Sequence, residues 1–147
     1  MPEVGDIYSL SDHQHLTVTV LREDLLEVEA VWEPGGVKQQ PPLHRHRSQD
    51  EHFVIREGEL RALIDGQERV LRAGDVIDVP AGTPHAMWST ADGSSRATWQ
   101  VRPALRTAEL WAALTEMRAA SASGRMPSPE DGQALLEKYA PEFELVL

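Results

Sequence analysis

Within the segment PPLHRHRSQDEHFVIREG, His44, His46 and Glu51 have types and spacing that suit a divalent transition metal. Residues two apart on a β-strand point to the same face, so His44 and His46 can aim two imidazoles at one point. A short turn through 47–50 would let Glu51 open the next strand and bring its carboxylate to that point from beside them. Neutral imidazole and a hard carboxylate oxygen together suit Fe, Mn, Co, Ni, Cu or Zn. A second block, Gly74-Asp75-Val76-Ile77-Asp78-Val79-Pro80-Ala81-Gly82-Thr83-Pro84-His85, ends on another imidazole. Gly74 and Gly82 permit backbone angles other residues dislike, and Pro80 and Pro84 stiffen the approach to His85. Spacing alone does not place His85 beside His44.

The remaining histidines read differently. His52 adjoins Glu51 and so points to the opposite face. His13 and His15 lie in a polar, turn-like stretch without a carboxylate at useful spacing, and are read as solvated. Phe53, Ile55, Met87, Trp99 and Val101 share the parity of inward residues. Most of these belong to a core, with one or two left to line a pocket beside the metal. Phe53, Ile55, Met87 and Trp99 are therefore pocket candidates, and Arg61 and Gln100 are the polar candidates for the same pocket. Trp88, on the other parity from Met87, covers an outer face or a subunit interface. Trp111 is core or a dimer contact.

These residues need a frame of short strands. From Ile7 to about Val101 the chain shows brief alternating runs separated by turn signals, as in an antiparallel sandwich or barrel. Residues 26–30 alternate apolar and acidic, and Glu33-Pro34-Gly35-Gly36 ends them. A turn at Glu57-Gly58 separates two further runs. Asp65-Gly66 is the strongest hairpin signal, pairing 60–64 with 69–71. Residues 76–79 and 97–101 complete the pattern. After Pro103 the period changes, and 107–120 reads as a helix with Thr107 as its cap and Glu109 near its positive end. A Ser-, Gly- and Pro-rich loop is expected over 121–129, then a second short helix over 129–139 with Leu135, Leu136 and Tyr139 as its apolar stripe.

Composition narrows the classes. The chain has 147 residues, the size of one domain. It contains no cysteine, so a metal here must be held by imidazole and carboxylate. A formal charge of −10 with scattered arginines argues against a nucleic-acid groove. No secretory signal is visible at the start, and no apolar run approaches the roughly 20 residues of a membrane helix. A cytoplasmic protein is the expectation.

The two blocks resemble the paired motifs of the cupin superfamily. The first motif is matched at His44, His46, Glu51 and Gly58, and the second at Gly74, Pro80, Gly82 and His85, with Ser89 where Asn is usual. The tail from Val101 resembles that of single-domain bacterial cupins. The resemblance implies an all-β jelly-roll barrel over 1–102, with residues 103–147 as a helical extension packed on it. It also implies that His44, His46, Glu51 and His85 hold one divalent metal, and that the protein is a homodimer. Open coordination positions would let the metal polarise a small-molecule substrate. Two reaction classes follow: dioxygenase chemistry, as in the quercetinase-like branch, or cyclisation and isomerisation, as in cupin-type polyketide cyclases. The substrate would be an enol, a diketone or polyketide-like, with Glu51 as the base. The rival is a metal-anchored binding or sensor barrel without catalysis.

Overall fold

The computed structural model describes residues 1–35, 40–90, 92–122 and 129–146. Ten strands come first: β1 (Ile7–Ser11), β2 (Gln14–Arg22), β3 (Leu25–Trp32), β4 (His44–Arg45), β5 (Asp50–Glu57), β6 (Glu59–Ile64), β7 (Gln67–Arg72), β8 (Val76–Val79), β9 (His85–Trp88) and β10 (Ser95–Arg102). Two helices follow, α1 (Thr107–Ala122) and α2 (Pro129–Lys138), and then a short strand, β11 (Glu144–Leu145).

The strands form two antiparallel sheets, ordered β1-β2-β3-β10-β5-β8 and β11-β4-β9-β6-β7. Alternation decides which residues enter the space between them. In β3 every second residue from Leu26 to Trp32 is buried, and in β5 the buried set is Glu51, Phe53 and Ile55. Leu16, Val18, Leu26, Val28, Ile55, Leu60 and Val101 are at most 1% exposed and form the centre of the core.

Asp65 and Gly66 have φ of 49° and 82°, and Ile64 pairs with Gln67 across them. That is the two-residue hairpin geometry in which both central residues need positive φ. The chain passes from one sheet to the other at Gly58, whose φ is 73°. A Cβ there would stand 2.5 Å from both the Ser94 carbonyl oxygen and Ser95 Oγ.

Helix α1 packs against β1. The Thr115 hydroxyl accepts from the Ser9 amide (3.1 Å), and Arg118 pairs with Asp12. Ala104, Ala108 and Trp111 enter the same core as the strands. Thr107, expected as a cap, is buried, and its hydroxyl accepts from Gln49 Nε2 at 2.8 Å. The fully buried Gln49 also donates to the Pro103 and Ala104 carbonyls, tying the turn before Glu51 to the start of α1. Of the loop expected over 121–129, residues 123–128 lie outside the described residues; 121 and 122 belong to α1 and 129 to α2. Gly36 also lies outside them. Among the described residues no helix is long and apolar enough to cross a membrane.

Candidate metal centre

Strand β4 pairs with β9 so that His44 stands opposite His85. Glu51 is the second residue of β5, in the facing sheet. His46 lies just past the end of β4, and two contacts from the second motif fix its backbone and that of the following turn. Gly82, at φ 80°, donates its amide to the His46 carbonyl (2.7 Å), and the Ala81 amide donates to Asp50 Oδ1 (2.8 Å). The loop before His85 therefore also grips the segment that carries His46.

One ligand atom from each of His44, His46, Glu51 and His85 lies within 4.8 Å of the others. Glu51 Oε1 is 3.0 Å from His46 Nε2 and 2.7 Å from His85 Nε2. These approaches are close, yet buried His46 Nε2 and Glu51 Oε1 make no aligned hydrogen bond. The outer ring nitrogens are committed elsewhere. His46 Nδ1 donates to the Glu142 carbonyl at 2.6 Å, and His85 Nδ1 donates to the Thr83 carbonyl at 2.9 Å. A ring whose Nδ1 carries the proton presents a lone pair at Nε2, as a metal ligand must. The donor set and its orientation fit a divalent transition metal.

Electrostatics favour a neutral His44 and an ionised Glu51. Burial, reinforced by the neighbouring His85 and His46, pushes the His44 imidazole down to about 3, so it is neutral at pH 7. Burial by itself would raise Glu51, but the His46 and His85 rings against it outweigh that and hold the carboxyl well below the usual range. Burial likewise opposes charge on His46, yet the Glu51 carboxylate and the Glu142 carbonyl raise it. The second carboxylate oxygen is also engaged: the Trp99 indole Nε1–H donates to Glu51 Oε2 at 2.6 Å.

A cavity of about 390 Å³ opens on these four residues. Of the pocket candidates, Phe53, Met87 and Trp99 line it, while Ile55, Arg61 and Gln100 do not. Ile55 is 1% exposed within the core. Arg61 and Gln100 alternate with buried neighbours and so turn to the outer faces of their sheets, where Arg61 meets Thr90 and Glu68 and Gln100 meets Glu27. Trp88 pairs with Arg61 on that outer side and is nonetheless buried. His52 faces away and pairs with Asp78 at 2.6 Å. His15, expected to be solvated, is half-buried on β2, 2.8 Å from Ser9 Oγ and 3.4 Å from Glu33.

Part of the wall was not anticipated. Glu142, Phe143 and Leu145 line the cavity, together with Leu110, Trp111, Leu114 and Leu136 from the two helices. Strand β11 pairs with β4, and the Val146 amide donates to the Leu43 carbonyl (2.9 Å). This lays the Phe143 ring on His44, with centroids 4.8 Å apart and planes 21° from parallel. The tail is fastened by Glu144, which meets Arg45 (3.3 Å) and Arg47 (2.8 Å). The sequence signal for this was slight: Phe143 and Leu145 alternate with Glu144 just beyond Pro141.

The cupin-domain profile matches residues 28–101, and the chain belongs to the cupin family. Among curated proteins it is similar to quercetin 2,3-dioxygenase of Bacillus subtilis, at 38% identity over 63 residues, which is 43% of this chain and 18% of that protein. It is also similar to the oxidoreductase iacF of Pestalotiopsis fici, at 45% identity over 49 residues, 33% of this chain and 24% of that one. The matches thus span under a quarter of either relative. Among solved structures, a RmlC-like cupin from Shewanella frigidimarina has a TM-score of 0.60 at 21% identity, covering 70% of this chain and 87% of that one. KdgF from a Halomonas species has a TM-score of 0.59 at 19% identity, covering 67% and 87%. These likenesses establish an all-β jelly-roll fold with two C-terminal helices.

Proposed function

We propose that the protein is a single-metal enzyme of the cupin type, acting on an enol, diketone or polyketide-like small molecule by dioxygenase or by cyclase/isomerase chemistry. The observation that carries this reading is the orientation of the ring nitrogens. His46 and His85 spend Nδ1 on backbone carbonyls, which leaves Nε2 of each facing Glu51 Oε1 inside a cavity. His44, His46, Glu51 and His85 would hold one divalent ion (Fe, Mn, Ni, Co, Cu or Zn). Such an ion would supply Lewis-acid polarisation of a carbonyl or enol oxygen and, if redox-active, access to dioxygen chemistry. The likeness to quercetin 2,3-dioxygenase supports the oxygen-dependent branch.

The chain's own residues bind and shield. Phe53, Met87 and Trp99 form apolar wall that excludes water from the reacting end of a ligand. Glu51 is the carboxylate among the four central residues placed to take a proton from an enol. Trp99 holds its Oε2, so Oε1, the oxygen that faces His46 and His85, would have to leave the metal to do that work. The same tether favours a second reading, a binding barrel in which Glu51 is a fixed ligand and nothing is turned over. A homodimeric, cytoplasmic protein belongs to the proposal too, and sedimentation velocity tests the dimer.

The test is elemental analysis of the tag-free chain beside His44→Ala. About one equivalent of metal, lost in the variant with circular dichroism unchanged, is the expected result. No metal in either protein, even after reconstitution, would overturn the reading. Oxygen uptake or conversion of a diketone by the loaded protein separates the enzyme from the binding barrel, which returns its ligand unchanged.

A further inference from the structure

We infer that the cavity selects neutral, flat, largely apolar molecules and turns away anions of the same size. This rests on the reading that the cavity is the ligand site, and adds the charge and shape of what enters it.

The first observation is charge. Among the described residues that line the cavity there is no lysine and no arginine, while two carboxylates, Glu51 and Glu142, are present. Both are buried to 2% exposure. Arg106, which reaches one of these carboxylates, is already spent: its Nη2 lies 2.8 Å from Glu142 Oε1 and donates to the Lys138 carbonyl at 2.9 Å. An anion entering this space would lose its water and meet no protein cation in exchange, a cost that burial without a partner always carries. The walls thus offer an anion nothing, and only a group able to ligate a metal at the centre would be compensated for its lost water.

The second observation is shape. Phe53, Trp99 and Trp111 form a continuous aromatic panel, with ring centroids 5.2 Å apart for the first pair and 4.8 Å for the second. Phe143, stacked on His44, adds another aromatic surface beside the ligand atoms. Flat rings prefer to lie against such faces. A volume of about 390 Å³ admits a fused two- or three-ring molecule and sits at the small end of ligand pockets. The occupant is therefore an uncharged, mainly aromatic compound that turns a hydroxyl or carbonyl towards Glu51 and the imidazoles.

The experiment is calorimetric titration of the full chain as purified, its metal content measured on the same sample, with two matched probes. One is 2-naphthol, which is neutral at pH 7. The other is 2-naphthalenesulfonate, an anion of the same frame and a poor metal donor, so that the comparison reads the walls. At least tenfold tighter binding of 2-naphthol is expected. Equal affinities, a preference for the sulfonate, or no binding of either probe would overturn the inference. Leu136→Arg places a cation on the half-buried wall face of α2. With an unchanged circular dichroism spectrum and melting temperature it should raise sulfonate affinity severalfold, and no change would also count against the inference. A neutral-probe preference in protein that never takes up metal would sink the metal reading alone, so the two can fail separately.

Discussion

Close contacts at the centre divide the Glu51 carboxylate between two tasks. Oε1 faces His46 and His85, while Oε2 accepts the Trp99 indole proton at 2.6 Å. Replacing Trp99 by Phe keeps an aromatic ring in the panel but strands a buried carboxylate oxygen. An unsatisfied buried acceptor of this kind costs about 2 kcal/mol, so an unfolding free energy lowered by that amount, read from a urea melt, is expected. A freed Oε2 also lets the carboxylate turn. Metal dissociation into a chelator should then quicken by about 10- to 100-fold, as for other groups that orient a ligand from behind. An unaltered off-rate would show that Trp99 only packs. At this scale the sequence was legible where residues are neighbours in the chain. His44, His46 and Glu51 lie within one turn and two strand ends, so their types and spacing sufficed to list them together. The Trp99–Glu51 hydrogen bond was not legible, because it depends on the pairing of β10 with β5 across 48 positions. Arg61 and Gln100 have the polarity of pocket residues, but alternation beside Leu60, Ala62 and Val101 turns them outward.

Among the elements, the turn at Gly58 and the tail around β11 matter most to the site. Gly58 carries the chain from the sheet bearing Glu51 to the sheet bearing His85, at a φ of 73° and with no room for a Cβ. Gly58→Ala would drive a methyl into the Ser94 carbonyl and into Ser95, whose hydroxyl bonds both the amide and the carbonyl of Glu59. A loss of roughly 3 kcal/mol, read from thermal or urea melts, is expected from the left-handed backbone and the clash together. The tail answers to charge instead. Hydrogen bonds from Arg47 and Arg45 hold Glu144 down at about 2, against an ordinary 4.5. A carboxylate with a depressed pKa contributes stability that is present above its unfolded value and lost as pH falls towards its folded one. Tail docking should therefore persist down to about pH 4.5 and weaken from there to about 2. At pH 7, Glu144→Gln or added salt should mimic the acid effect, since the pair is exposed and screened. Faster deuterium uptake at the Val146 amide, which bonds Leu43, is the readout, and uptake equal to the parent chain would free Glu144 of that role. The hairpin at Asp65-Gly66 was plain from two residues with a known turn preference. Strand β11 was not, because two residues have no period and its partner β4 lies about 100 positions away.

At the scale of the molecule, the question is whether the barrel and its C-terminal helices are one cooperative body. The paired motifs announced a jelly roll, and the change of period after Pro103 announced helices, but neither said how the two share a core. That sharing is in the packing. Ala104, Ala108 and Trp111 join the cluster that holds Leu16, Val28, Ile55 and Leu60, and Gln49 bonds the start of α1 from inside the barrel. The cavity is likewise composite, with strands supplying Phe53, Met87 and Trp99 and the helices and tail supplying Trp111, Leu136 and Phe143. A core divided between two parts cannot lose one part without exposing the other, so unfolding should be all-or-none. The chain carries its own reporters. In a Trp111→Phe background, which removes the tryptophan carried by α1, the fluorescence comes from Trp32, Trp88 and Trp99 on strands, whereas helicity at 222 nm follows α1 and α2. Tryptophan fluorescence and helical dichroism should trace coincident urea transitions. Trp111→Ala should move both together by about 3–5 kcal/mol, the usual cost of emptying a large aromatic site. An early dichroism transition with fluorescence unchanged would make the helices a separately unfolding cover, and the cavity would then form only while that cover is closed.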